Sequence, residues 1–184
     1  MTQLLLFPGA GSASTHPSLV AIEAAIAPTV CVREDFPYRK AGRRAPDRAP
    51  VLLDAVRAAA APMLAADSRL VLGGRSMGGR MCSLAVGDAA EPLPAVGLVL
   101  ICYPLHPPGK PEKLRVEHFP RLHVPCLFIS GTKDAFGTPE ELQQWTATIP
   151  GPVTHEWLDG KGHDLKGCDA RIAALVADWV GALG

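Results

Sequence analysis

No excess of either charge marks this sequence: its 184 residues hold 18 lysines and arginines against 18 aspartates and glutamates, a formal net charge of zero. A chain without a net field does not steer nucleic acid or an anionic membrane surface, so the expected partner is a small molecule, with no nucleic acid and no membrane. No uncharged apolar run approaches the roughly 18 residues of a membrane span. Met1-Thr2-Gln3 has none of the basic character that opens a secretory signal. The expectation is a cytoplasmic protein. The five cysteines (Cys31, Cys82, Cys102, Cys126 and Cys168) form no C-x-x-C pair. Their odd number excludes a complete disulfide framework, and three stand in apolar strand-like runs where a thiol serves as a small hydrophobe. There is no internal repeat and no low-complexity tract beyond the alanine-rich stretch 55–66. The length suits a single domain, 1–184, with a core large enough to need no staples; a homodimer is compatible with it.

Apolar runs of strand length recur at Leu4 to Phe7, Thr29 to Val32, Arg69 to Leu72, Val96 to Cys102, Cys126 to Ser130 and Val153 to Leu158. Amphipathic or alanine-rich stretches at 18–26, 49–65, 77–88, 139–148 and 169–183 separate them, so the beat is strand then helix. Runs such as L-L-L-F and V-G-L-V-L-I-C are apolar on both alternating positions. That suits a parallel sheet covered on both faces, and an open doubly wound α/β sheet follows. Two segments break the beat. Pro104 to Pro125 holds six prolines and three histidines (His106, His118 and His123) and reads as a long loop with at most a short helical turn. Arg33 to Pro50 concentrates six positive charges and reads as a solvated basic loop, with an anion or docking site as the alternative.

Gly74-Arg75-Ser76-Met77-Gly78 follows an apolar strand and opens a helix. This is the G-x-S-x-G pattern of a serine on a tight strand-to-helix bend, where crowding leaves no room for side chains two residues to either side. A serine hydroxyl needs a base, and the base needs a carboxylate to hold its tautomer. In open parallel sheets such groups lie on loops at the carboxyl ends of strands. His163, in L-D-G-K-G-H-D after the 153–158 run, meets that condition. His16 is placed to cap a helix, and His155 lies inside a strand. Asp134, in S-G-T-K-D-A-F-G-T-P-E-E, stands between a strand and a helix opened by Thr138, Pro139 and Glu141, a capping box. Asp159 and Asp164 are too near His163 in sequence to orient it from a separate wall. Donors for an oxyanion are expected from the Met77 N–H and from the glycine-rich turn Pro8 to Ser12, with Ala10 the first choice and Gly11 the second. That turn has neither the lysine ending of a phosphate loop nor G-x-G-x-x-G spacing. No residue cluster calls for a metal or an organic cofactor.

The segments F-P-G-A-G at 7–11, F-P-Y-R-K-A-G-R-R-A-P-D-R-A-P at 36–50, G-G-R-S-M-G-G-R at 73–80, I-S-G-T-K-D at 129–134 and G-K-G-H-D-L at 160–165 span most of the chain. On these segments it resembles the small serine α/β-hydrolases, and more narrowly the dienelactone-hydrolase-like group that includes the KANL3/Tex30-type hydrolase domain. The resemblance implies an α/β-hydrolase fold, six mostly parallel strands in the order 2-1-3-4-5-6 with helices on both faces; the chain is expected to depart from it in lacking the two antiparallel strands that open a full-length hydrolase sheet, which leaves a minimal core. The resemblance also implies Ser76 as nucleophile, Asp134 as acid and His163 as base, with Gly74 and Gly78 framing the nucleophile. The expected activity is cleavage of a small carboxylic ester or thioester through an acyl-enzyme. A non-catalytic interaction module on the same fold and an acyltransferase are the alternatives. Dienelactone hydrolase itself has a cysteine where this chain has Ser76, so its lactone substrate does not carry over.

Overall fold

Strands β1 (Thr2–Phe7), β2 (Val30–Arg33), β3 (Arg69–Arg75), β4 (Gly97–Ile101), β5 (Cys126–Gly131) and β6 (Val153–Leu158) pair only in parallel. Their order across the sheet is β2-β1-β3-β4-β5-β6. The computed structural model describes residues 2–66 and 69–183. Helices α1 (Pro17–Ala25), α2 (Pro37–Lys40), α3 (Ala49–Ala65), α4 (Met77–Val86), α5 (Pro139–Thr146) and α6 (Asp169–Ala182) run between and after the strands. None of the described helices is long and apolar enough to cross a membrane.

The doubly apolar strands explain why both faces are covered. Successive residues of a strand point to opposite sides. Leu5 and Phe7 of β1, with Leu98 and Leu100 of β4, pack against α3 and α4; Leu4, Leu6, Val99 and Ile101 pack against α1 and α6. Each such side chain, buried in full, contributes roughly 1.5–3 kcal/mol of transfer free energy. The order reverses around β1, whose neighbours are β2 on one side and β3 on the other. A crevice therefore opens at the carboxyl ends of the central strands, where chains leave the sheet in opposite directions.

Two departures from the sequence pattern bear on that crevice. The basic segment is not all loop: it includes the short α2, and Phe36 and Tyr38 are wholly buried. Phe36 stacks on Phe7 of β1 with ring centroids 4.8 Å apart. A four-residue helix with one aromatic and two basic residues is too short to show a period. Three of the six basic residues are paired within the chain, Arg33 with Glu23, Lys40 with Glu34 and Arg43 with Asp47. Strand β4 also stops at Ile101, because Cys102 adopts a left-handed backbone (φ 44°).

The long proline-rich segment carries one 3-10 turn, Phe119–Arg121, preceded by a buried His118 whose Nε2 lies 2.8 Å from the Ser83 hydroxyl of α4. Burial, then the charges of Arg80 and Arg121, push His118 down from 6.5 to about 3. The unfolded chain therefore binds the extra proton first as pH falls, so the stabilisation from a neutral His118 is whole above about pH 6.5 and is lost toward pH 3. Thermal unfolding scanned from pH 7 to pH 4 should show a falling midpoint, with a shallower fall in His118→Gln. An identical slope in the variant would remove His118 as a cause.

Candidate active site

Ser76 sits where β3 hands over to α4. Its N–H still donates to the Ile101 carbonyl (2.8 Å) in the manner of a strand, while its own carbonyl accepts the first helical bond from Arg80 N–H (3.0 Å). Joining the two patterns puts Ser76 at φ 47°, ψ −115°, a conformation that costs a residue with a side chain about 1–3 kcal/mol. The turn is this tight because α4 starts directly against the end of β1. A Cβ built on Gly74 or on Gly78 would overlap the Phe7 carbonyl oxygen, and one on Gly79 would press on the Gly74 carbonyl. The bend carries the Ser76 hydroxyl into the crevice.

The structure brings Ser76, His163 and Asp134 together. His163 Nε2 lies 2.8 Å from Ser76 Oγ, and Nδ1 lies 2.8 and 3.0 Å from the two Asp134 carboxylate oxygens. With an ionised carboxylate, Nδ1–H donates to Asp134 and Nε2 is left to accept the Ser76 hydroxyl proton. Asp134 is 4% exposed. A second donor, the Phe136 N–H, reaches its Oδ1 at 2.8 Å, and the Phe136 ring lies over the His163 imidazole with centroids 3.9 Å apart. The loops after β5 and β6 are joined near their roots. Thr132 N–H donates to the Leu158 carbonyl (3.1 Å), Lys133 N–H to the Lys161 carbonyl (2.9 Å) and Gly160 N–H to Thr132 Oγ1 (2.8 Å). Beyond them the Thr138–Glu141 capping box fixes the start of α5. Arg75 steadies the other side of His163, its Nη2 donating to the Asp164 carbonyl at 2.9 Å.

The turn after β1 faces Ser76: a Cβ placed on Gly9 would stand 3.6 Å from the Ser76 Cβ. Both peptide units around Ala10 are tied down. The Gly9 carbonyl accepts from Ser12 N–H (3.1 Å) and Ser12 Oγ (3.3 Å), and the Ala10 carbonyl accepts from the Tyr38 hydroxyl (2.8 Å). Met77, the first residue of α4, has an N–H with no intrahelical acceptor. Met77, Ala10 and Gly11 thus border the same cavity of about 630 Å³ as Ser76 and His163. A hydroxyl bonded to an imidazole, a buried carboxylate behind it and backbone donors beside it can generate a nucleophile and hold a developing oxyanion.

The remaining histidines have other duties. His16 caps α1, accepting from Ser18 N–H through Nδ1 (3.2 Å). His155 stacks on Trp157 (centroids 4.9 Å apart), and His106 faces Glu141 at 3.3 Å. Among the described residues no group of three or more histidines, cysteines and carboxylates is placed to hold a metal ion. Sequence reasoning passed over Tyr38, Phe136, Arg75, Arg80 and Arg115. The last three are all in the cavity wall; Arg75 and Arg80 flank Ser76 in one segment, whereas Arg115 lies 35 residues beyond Arg80 in the proline-rich stretch, so no local spacing joins it to them.

Comparison with known proteins places the chain in a broad setting. A family model described as an alpha/beta hydrolase domain matches residues 1–174. Among solved structures, the chain is similar in fold to an alpha-beta serine hydrolase homologue from Coxiella burnetii (TM-score 0.77, 15% identity, 96% of this chain and 84% of that one). It is likewise similar to Est1E from Butyrivibrio proteoclasticus (TM-score 0.79, 13% identity, 99% and 88%). A third likeness is to the RedJ thioesterase from the prodiginine biosynthetic pathway in Streptomyces coelicolor (TM-score 0.68, 20% identity, 98% and 89%).

The crowding at the Ser76 turn sets a test by contrast. Gly78→Ala would drive a methyl group into the Phe7 and Pro8 carbonyls and should cost about 1–3 kcal/mol or more in denaturant unfolding. Gly11→Ala meets nothing within 4 Å and should stay within about 0.5 kcal/mol of the parent.

Proposed function

Because the chain belongs to the alpha/beta hydrolase domain family, whose model matches residues 1–174, we propose that it is a serine hydrolase of small carboxylic esters or thioesters. The observation that carries this reading is the continuous hydrogen-bonded line from Ser76 Oγ through His163 to the buried Asp134, opening on the one cavity that also meets Met77 and the Pro8–Ser12 turn. His163 takes the Ser76 proton as Oγ attacks the acyl carbon. Asp134 stays ionised and stabilises the imidazolium. The tetrahedral oxyanion is held by the Met77 N–H and by Ala10, with Gly11 the alternative donor. His163 then protonates the departing alcohol or thiol, and water, activated by the same imidazole, releases the acid from the acyl-enzyme.

The similarity in fold to proteins described as Est1E and a thioesterase supports acyl cleavage, and the narrower affinity with the dienelactone-hydrolase-like and KANL3/Tex30-type group belongs to the same proposal. The cavity, at about 630 Å³, is of small-molecule size, and short acyl groups are the substrates it is proposed to take. Pro104 and Arg115 bring the proline-rich segment to its rim, so that segment borders the substrate. An interaction module built on the basic segment finds less support, since Arg33, Lys40 and Arg43 already have carboxylate partners. Acyl transfer would share the acyl-enzyme and differ only in its acceptor.

A fluorophosphonate probe should label the parent protein and leave Ser76→Ala unlabelled; equal labelling of both would defeat the mechanism. Across a series of p-nitrophenyl esters, kcat/KM should peak at short chains, and a preference for long ones would contradict the cavity argument. His163→Ala should lower kcat by about 10⁴-fold or more. Tyr38→Phe, which frees the Ala10 carbonyl, should lower kcat by about tenfold with little change in KM. A change confined to KM would assign Tyr38 to ground-state binding instead.

A further inference from the structure

Three guanidinium groups line the cavity, and they are not equivalent. Arg75 is accounted for: it is buried, Nη1 donates to Ser18 Oγ (3.3 Å) and Nη2 to the Asp164 carbonyl (2.9 Å). Arg80 stands one helical turn beyond Ser76 on α4, on the same face of the helix. Among the described residues its guanidinium has no hydrogen bond and no ion pair, and its Nε is buried without an acceptor. Arg115 makes one long bond, Nη1 to the Pro104 carbonyl at 3.4 Å, and has no carboxylate partner among the described residues. Buried polar groups are nearly always satisfied, and a cationic donor without an acceptor calls for an explanation.

The two charges are close enough to act on each other. Burial first, and then the Arg80 charge, draw Arg115 below the usual arginine range. The Arg80 charge also weighs on His118. No anion in the cavity wall offsets them. Asp164, its one carboxylate, is exposed, and its Oδ1 accepts from Lys166 N–H (3.3 Å); Asp134 is engaged behind His163. Guanidinium forks suit carboxylate and phosphate oxygens. The Pro104 carbonyl occupies one Arg115 N–H but leaves its charge in place, so the pair suits an oxyanion whose oxygens fit a guanidinium fork, and a carboxylate is the smallest such group.

We propose that Arg80 and Arg115 form an anion-binding subsite beside Ser76, so that the ester or thioester cleaved here carries a carboxylate. This rests on the reading of Ser76 as the nucleophile. It adds that the substrate is charged and that the charge is read by two arginines from separate elements.

The test compares two esters of equal acyl length, p-nitrophenyl hemiglutarate and p-nitrophenyl valerate, in the parent protein and in Arg80→Gln, Arg80→Lys and Arg115→Gln. The parent should favour the hemiglutarate in kcat/KM, and the ratio of the two should fall about ten- to hundredfold in each glutamine variant. Arg80→Lys should retain part of it. If Arg80→Gln does not fold, Arg115→Gln carries the comparison. Valerate hydrolysed as well as hemiglutarate, or a preference that survives both glutamine variants, would overturn the subsite and leave the hydrolase intact. If neither ester is cleaved and the fluorophosphonate leaves Ser76 unlabelled, the hydrolase reading falls instead. Titration of Ser76→Ala with glutarate, valeramide and inorganic phosphate then decides the subsite separately. Glutarate binding weakened at least tenfold by adding Arg80→Gln supports it; no glutarate binding, or tighter binding of phosphate, overturns it.

Discussion

The close approach of α4 to the end of β1 is the constraint on which the rest of the crevice depends. With no Cβ at Gly74 or Gly78, the first turn of α4 rests directly on the Phe7 carbonyl. Ser76 is left no choice but the left-handed backbone that joins a strand bond to a helix bond. The same contact aligns the free N–H of Met77 beside the turn that follows β1. A looser junction would relax Ser76 and part its hydroxyl from the Met77 N–H and the Pro8–Ser12 turn, so backbone strain of about 1–3 kcal/mol is sustained by the packing of α4 on the end of β1.

From that junction the site spreads by backbone contacts more than by side chains. The segments that leave β5 and β6 share four hydrogen bonds before they reach Asp134 and His163, so the two residues are carried on roots tied to each other. Phe136 contributes twice, its N–H to the carboxylate and its ring to the imidazole. The Pro8–Ser12 turn is held from below by Tyr38, whose ring is fixed through Phe36 to Phe7. Phe7 therefore braces the site from both directions: its carbonyl receives α4 and its ring receives the segment that anchors the Pro8–Ser12 turn.

This division explains what could be read in the sequence. The sheet order came with the family resemblance, whereas the positions of Ser76, Asp134 and His163 were legible because each follows an apolar strand and carries a local mark: paired glycines, a capping box, a glycine-rich approach. Element boundaries held within a few residues, and the differences arose where a backbone turned sharply, as at Cys102. Tyr38 was illegible because a buried aromatic set among six basic residues looks like part of a solvated loop. Phe136 looked like a spacer between Asp134 and the cap at Thr138. Arg115 joins Arg75 and Arg80 only in the folded chain, and a spacing rule cannot connect the proline-rich segment to the turn around Ser76.

The arginines also show how little a balanced composition says about local fields. With 18 charges of each sign, the whole molecule steers nothing over long range. Yet where the charges are dense in sequence, between Arg33 and Arg48, carboxylates already answer several of them, and where they are sparse in sequence they converge unanswered on the cavity. At an exposed loop, water and salt would screen the six-charge cluster even if it were unpaired. Inside a cavity with apolar walls the same charges are weakly screened and interact several-fold more strongly. On the proposed subsite, electrostatic selectivity is therefore a matter of two guanidinium groups in the cavity wall, Arg80 and Arg115, and the more conspicuous basic run in the sequence contributes little to it.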